Sequence, residues 1–384
     1  MSFVFTSSCF WIKKSTYVAD YFHTPVCTHL YIFYNYYLIC YAKMKVKRGS
    51  KLGSGAFGNV YEVDVTTDDG KPHLTDVVLK EMTVTPKTPK ALFEREIHSL
   101  RAVQGTRYAV KYHVAAFHPT DNKFEILMER LQPLALTDGT LSIQEKIKIA
   151  GDLCEGLSHF HARCMIHGDI KPQNIMQRKQ KDSQTIHVVY TDFGLSCFAP
   201  RCGVAGTPRY IDPCVFFFSK GTHPDMQKKK IDQDSDIYSL GVVLYEMFMD
   251  DQYAFHNANV SMGEMISLQY HQGNHQKKMQ TLSEYLTKTT TLSELEIKNI
   301  VACISSMTDI MNLKNDAMCY CEWFQHLNEE HNALLCKVNM DCSTKMFLER
   351  KPKPIFTGSL EDSIEKGDEQ PKLPPLKSTT TTAN

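Results

Sequence analysis

His167-Gly168-Asp169-Ile170-Lys171-Pro172-Gln173-Asn174 decides the reading of this chain. It sets an acid, a cation two residues on and a carboxamide five residues on in one loop. Phosphoryl transfer asks little covalent chemistry of a protein; it needs an oriented hydroxyl nucleophile, neutralised charge and a placed magnesium ion. Asp169, Lys171 and Asn174 suit those three tasks in turn.

Working outward, the pieces that such chemistry needs stand in a consistent order. Gly53-Ser54-Gly55-Ala56-Phe57-Gly58-Asn59-Val60 is a glycine run whose backbone can approach phosphates closely. It continues into the alternating Val60, Val63, Val65, a strand rather than the helix that a dinucleotide fold places at the pyrophosphate. Leu52 and Val60 then cover one face of an adenine. Val77-Val78-Leu79-Lys80 ends an apolar strand on a lysine, a point charge for phosphates if a carboxylate holds it. In Phe93-Glu94-Arg95-Glu96-Ile97 the expected partner is Glu96, with Glu94 a solvated neighbour. Asp192-Phe193-Gly194 follows the apolar stretch Ile186–Thr191 and brings a hard oxygen ligand suited to magnesium. Each piece alone is weak; the order of the four is not.

Together these motifs resemble the eukaryotic-type protein kinase family, Ser/Thr branch, over about residues 46–327. The resemblance implies an α+β, bilobal fold with a small β-rich lobe carrying one key helix and a larger, mainly helical lobe. It implies ATP and magnesium as cofactors and protein substrates phosphorylated on Ser or Thr. Asp169 is then the catalytic base with Lys171 beside it, Asn174 and Asp192 are the magnesium ligands, and Lys80–Glu96 is the ion pair of the active state. Leu52, Gly53, Gly55, Gly58, Val60, Val78 and Lys80 line the nucleotide, and Met128-Glu129-Arg130-Leu131 resembles the hinge, contributing Met128, Glu129 and Leu131. Gly206-Thr207-Pro208-Arg209-Tyr210-Ile211-Asp212-Pro213 resembles the segment that seats the substrate peptide, and Asp236 opens a helix that braces the catalytic loop. Two rivals are a pseudokinase scaffold, which should lack one of Lys80, Asp169, Asn174 or Asp192, and a small-molecule phosphotransferase, which shares His-Gly-Asp but generally lacks the later segments.

Two departures stand out. Gly168 occupies the place of an arginine that reads a phosphate on the activation loop in many relatives, so activity without loop phosphorylation is expected. Cys214 stands where a glutamate normally pairs with a late arginine, and no arginine occurs between Arg209 and Arg350. Losing both halves of a buried pair is tolerable, whereas losing one costs about 3–5 kcal/mol. The departures are reminiscent in style of kinases carried by large DNA viruses.

The 384 residues are 42% hydrophobic, with 43 basic and 43 acidic side chains. That balance gives no whole-molecule reason to expect nucleic-acid or membrane binding. The thirteen cysteines show no CxxC spacing and read as reduced thiols of an intracellular protein, in cytoplasm or nucleus. Residues 1–44 form an aromatic-rich extension, too short in its apolar run for a membrane span and read as non-native upstream of Met44. The expected divisions are a small lobe and hinge over 45–130, a large lobe over 131–327, a helical extension over 328–349 and a disordered tail over 350–384. Gln227-Lys228-Lys229-Lys230 reads as a solvated loop.

Overall fold

Alternating valines become the first layer of the protein. The computed structural model describes Ser2–Val4 and residues 44–332, apart from 56–57, 68, 87, 179–184, 200–201, 204–205, 214, 216–230, 257–271 and 310–316. Cys214, the 227–230 lysines, the aromatic run before Met44 and the tail therefore lie outside the described residues. The described residues all belong to one unit, Met1–Val338.

Strands β1 (Ser2–Val4), β2 (Met44–Gly55), β3 (Gly58–Thr67), β4 (Pro72–Leu74), β5 (Val77–Thr83), β6 (Tyr112–His118) and β7 (Lys123–Glu129) form one antiparallel sheet. The order is β1-β2-β3-β5-β7-β6, with β4 on β3. Period-two alternation sorts its faces. Val46, Val65, Val77, Leu79 and Leu127 meet in one buried cluster. Val78 and Lys80 point to the opposite face, where the register sets Val60 across from Lys80. β4 and β5 are separated at Asp76, whose φ of 52° interrupts the pleat while its carbonyl accepts Arg130 N–H at 2.7 Å.

Helix α1 (Lys90–Ala102) buries Phe93, Glu96, Ile97 and Leu100. That i, i+3, i+4, i+7 spacing carries Glu96 on the apolar stripe and leaves Glu94 outside it, paired with Lys90 at 3.6 Å. After the sheet the chain turns helical: α2 (Ile143–His161), α3 (Gln233–Phe248), α4 (Gln272–Thr289), α5 (Glu294–Thr308) and α6 (Ala317–Asn332). Capping boxes start three of them, at Ser142, Asp232 and Ser293. Each cap contributes about 1 kcal/mol. Ile147, Leu153, Leu157 and Phe160 of α2 are buried, and α2 packs on α6 while α3 packs on α5. None of the described helices is long and apolar enough to cross a membrane.

Short strands place the chemistry-bearing loops. β8 (Gln132–Pro133), β10 (Ile175–Gln177) and β11 (Val188–Tyr190) form one small sheet, and β9 (Met165–Ile166) pairs with β12 (Cys197–Phe198). The loop 167–174 runs from β9 to β10, and 191–196 runs from β11 to β12. Because β9 pairs with β12 and β10 with β11, the two loops must lie side by side.

Among the described residues the expectation of reduced thiols fails at one place: Cys197 and Cys202 form a disulfide. Only four residues lie between them, their Cα atoms are 5.3 Å apart, and both side chains turn into a shared apolar cluster. Cys154, Cys303 and Cys321 remain thiols, and burial raises the pKa of all three, Cys321 to about 12. They are inert core residues.

Candidate active site

Lys80 leaves the middle of β5 toward α1 and donates to Glu96 Oε1 at 2.6 Å and to Asp192 Oδ1 at 2.9 Å. Burial alone would drive its ammonium toward neutrality; the carboxylates of Glu96 and Asp192 outweigh that and hold its pKa above the ordinary value. Burial would likewise raise Asp192, but the Lys80 charge lowers it below the usual carboxylate range. Asp192 has a φ of 59°, a left-handed conformation that aspartate tolerates better than most residues. Behind it, Phe193 is wholly buried, with its ring edge-on to Phe160 at 5.6 Å and tilted against His167 at 5.0 Å.

Asp169 sits 5% exposed at the floor of the site. Lys171 Nζ donates to its Oδ2 at 2.7 Å, and Thr207 Oγ1 donates to its Oδ1 at 2.6 Å. Lys171 also donates to Thr207 Oγ1 at 2.9 Å, closing a triangle of acid, cation and hydroxyl. Asn174 Nδ2 donates to Asp169 O at 2.8 Å and Oδ2 at 3.1 Å, which turns its Oδ1 away from the acid. Asn174 and Asp192 thus offer hard oxygen donors on adjacent loops, a donor set that fits magnesium. The loop is held from below by Asp236 of α3, whose carboxylate accepts His167 N–H at 2.7 Å and Gly168 N–H at 2.8 Å.

On the opposite wall, the β2–β3 turn supplies the glycines. No atom lies within 4 Å of a Cβ built on Gly53 or Gly55, so space for phosphates is open there. Gly58 serves differently: a Cβ on it would meet the Glu81 carbonyl at 2.2 Å, so only glycine lets β3 start against β5. Leu52 is 44% exposed at the rim, Val60 and Met128 are half-buried, and Val78 is buried beside Lys80.

Residues 46–291 match the protein kinase domain family, well over half of the chain. The chain belongs to the protein kinase family. Among curated relatives, a Dictyostelium discoideum protein described as "Probable serine/threonine-protein kinase iksA" is 30% identical over 54% of this chain and 24% of its own length. Schizosaccharomyces pombe serine/threonine-protein kinase shk2 is 26% identical over 52% of this chain and 33% of its own. Rat tyrosine-protein kinase JAK3 is 27% identical over 52% of this chain and 18% of its own. The chain spans no more than a third of the length of these relatives. The family as a whole uses ATP and magnesium and acts on proteins, and the β-rich and helical regions of this kinase are its bilobal fold.

Glu96 and Asp192 meet Lys80, and Lys171 and Asn174 meet Asp169, but Glu129, expected at the hinge, has a further job. Its carboxylate takes Arg178 Nε at 2.8 Å and Nη2 at 2.7 Å and also accepts Lys111 N–H at 2.7 Å. The side chain therefore locks β7 to the segment after β10, while the Glu129 N–H donates to the Lys111 carbonyl at 3.0 Å. The sequence places Thr207 in the segment Gly206–Pro213 and does not pair it with Asp169. Its position straight after Gly206 was the available signal, and only the fold shows its reach.

The missing glutamate–arginine brace has a neighbour in α3. Tyr210 OH donates to Glu246 Oε2 at 2.9 Å, and Arg209 Nη1 lies 3.9 Å from Glu246 Oε1. Arg209 also donates to the carbonyls of His256 at 2.9 Å and Gln252 at 3.3 Å. Arg209, in the segment 206–213, and Glu246 of α3 are thus an acid–base approach separate from the pair expected at Cys214. Burial raises the Glu246 carboxyl to about 8, against the opposing pull of Tyr210 and Arg209. A carboxyl raised from 4.5 in this way stabilises the fold fully below pH 4.5, and that contribution is lost as pH rises through about 8. Glu246→Gln cannot titrate. Relative to it, wild type is expected to lose up to about 4 kcal/mol between pH values of about 5 and about 9. Denaturant midpoints at matched pH measure this, and parallel curves for the two proteins would refute it.

Proposed function

We propose that this kinase transfers the terminal phosphate of ATP to Ser and Thr hydroxyls of protein substrates, without needing phosphorylation of its own activation loop. The observation that carries the reading is the triangle at Asp169, where Lys171 and Thr207 both lie within 2.9 Å of the acid or of each other. In that role Asp169 Oδ1 exchanges Thr207 for the substrate hydroxyl, orients it and accepts its proton. Lys171 meets the charge that develops on the transferred group. Lys80, fixed by Glu96, addresses the nucleotide phosphates beneath Gly53 and Gly55, while Leu52, Val60, Val78 and Met128 enclose the adenine with the backbone of Glu129 and Leu131. Asn174 and Asp192 hold magnesium, which neutralises phosphate oxygens when bound.

A crowded floor favours a short aliphatic hydroxyl carried close to Asp169. Lys80, Asp169, Asn174 and Asp192 are all present and bonded in two pairs, Lys80 with Asp192 and Asn174 with Asp169, which weighs against a scaffold without turnover. The test is phosphotransfer from labelled ATP with magnesium to matched Ser, Thr and Tyr peptides. Ser and Thr labelling is expected, and equal labelling of the Tyr peptide would end the Ser/Thr reading. Pretreatment with a protein phosphatase is expected to leave the rate unchanged; loss of activity would end the phosphorylation-independent part.

A further inference from the structure

The disulfide lies where the activation segment begins. Cys197 is in β12, directly after the Asp-Phe-Gly turn, and pairs in register with Ile166, the residue before His167. Cys202 follows five residues later, and the two are 7% and 3% exposed. Their sulfurs sit in a cluster with Ile166, Ile211, Val215 and Ile231. Ile166 leads into the catalytic loop, Ile211 belongs to the substrate-seating segment, and Ile231 precedes α3. Gly203, next to Cys202, accepts Ile231 N–H at 3.1 Å. The bond thus ties the start of the segment into the core that also holds its end. It does so on the side where Gly168 has no side chain with which to grip a phosphate.

We propose that Cys197 and Cys202 are a redox modification site, a thiol pair that exchanges with small disulfides and dithiols, and that its oxidised form braces the substrate-seating segment. The functional half of this rests on the kinase activity proposed above. In the oxidising direction one cysteine thiolate attacks a sulfur of oxidised glutathione and expels one glutathione thiolate. The second cysteine thiolate then attacks the mixed disulfide and expels the other. Two protein thiols are oxidised by two electrons and one glutathione disulfide is reduced to two thiols; a dithiol reverses the change. Because both sulfurs are buried, exchange requires the segment to open, and the oxidised pair resists solution thiols while it stays closed.

The full chain is treated with oxidised glutathione or with dithiothreitol and read three ways. Peptide mapping without reduction should find Cys197 linked to Cys202 only in the oxidised sample; absence of the linked peptide would overturn the site. Amide hydrogen exchange over residues 206–212 should be slower in the oxidised form, and equal exchange in the two forms would overturn the brace. Neither measurement needs catalysis. In peptide phosphorylation, reduction should raise KM for the peptide about five- to tenfold with kcat little altered. The Cys197→Ser, Cys202→Ser double variant should match reduced wild type and ignore either treatment. A wild type whose KM is the same in both states would overturn the functional half. A protein that shows the exchange difference but transfers no phosphate in either state would keep the redox site and end the kinase reading instead.

Discussion

Asp169→Asn is expected to lower peptide phosphorylation by at least about 10²–10⁴-fold, the contribution of a positioned general base. The change is nearly isosteric, and the surroundings explain why it remains damaging. Asp169 Oδ1 accepts from Thr207 and Oδ2 accepts from both Lys171 and Asn174, so the site is built for an acceptor with a full negative charge. An amide supplies one acceptor oxygen and two donors. One end must then face Lys171 or Thr207 with a hydrogen, and no group remains to take the substrate proton. The main-chain bond from Asn174 to Asp169 O survives, as does the Asp236 brace under the loop, so the fold should persist. Steady-state phosphorylation with labelled ATP, set beside thermal melting, separates the two effects. Equal rates from wild type and variant in proteins of similar melting temperature would remove Asp169 from its assigned role.

How far the sequence disclosed this site depends on the distance over which each feature is encoded. Local features were legible. Apolar residues recur at helical spacing along Ile143–His161, and α2 forms over that span because an apolar stripe of five turns admits few alternatives. Glu96 was separable from Glu94 because only one of them lies on the stripe of Phe93, Ile97 and Leu100. The order of the glycine run, Lys80, the catalytic loop and Asp192 carried the bilobal fold because short β pairings bring those loops together. Pairings across long separations were not legible. Arg178 meets Glu129 across 49 residues, and Tyr210 meets Glu246 across 36. No period or spacing links such partners; burial and direction of the side chains create them. The disulfide fell between these cases. Its cysteines are close in sequence, but their closure depends on both turning into the cluster around Ile166 and Ile211, which alternation and periodicity do not encode.

Gly168 shows the sequence and the structure each holding half of an explanation. By resemblance alone, its meaning is a lost phosphate receptor, and restoring arginine looks like a gain. The geometry makes restoration costly. Gly168 has a φ of 77°, in the left-handed region, where its N–H reaches Asp236 at 2.8 Å. A Cβ there would stand 2.9 Å from Ile231 Cδ1 and 3.0 Å from the Leu195 carbonyl. The isoleucine tip has some freedom, but the carbonyl belongs to the turn after Asp192 and does not. Gly168→Arg therefore combines a backbone penalty of about 1–3 kcal/mol with an overpacking cost of about 1–3 kcal/mol. The expected result is a loss of about 2–6 kcal/mol in stability together with much of the phosphotransfer activity, since the strain falls beside Asp169. Gly168→Ala separates the causes, because it adds the strain and the contact without the charge or length of arginine. Most of the loss should already appear in alanine when urea midpoints are compared. If arginine proved as stable as wild type and made activity depend on loop phosphorylation, the segment would have room for a phosphate switch, and the apolar closure around Ile231 would not be what replaces it.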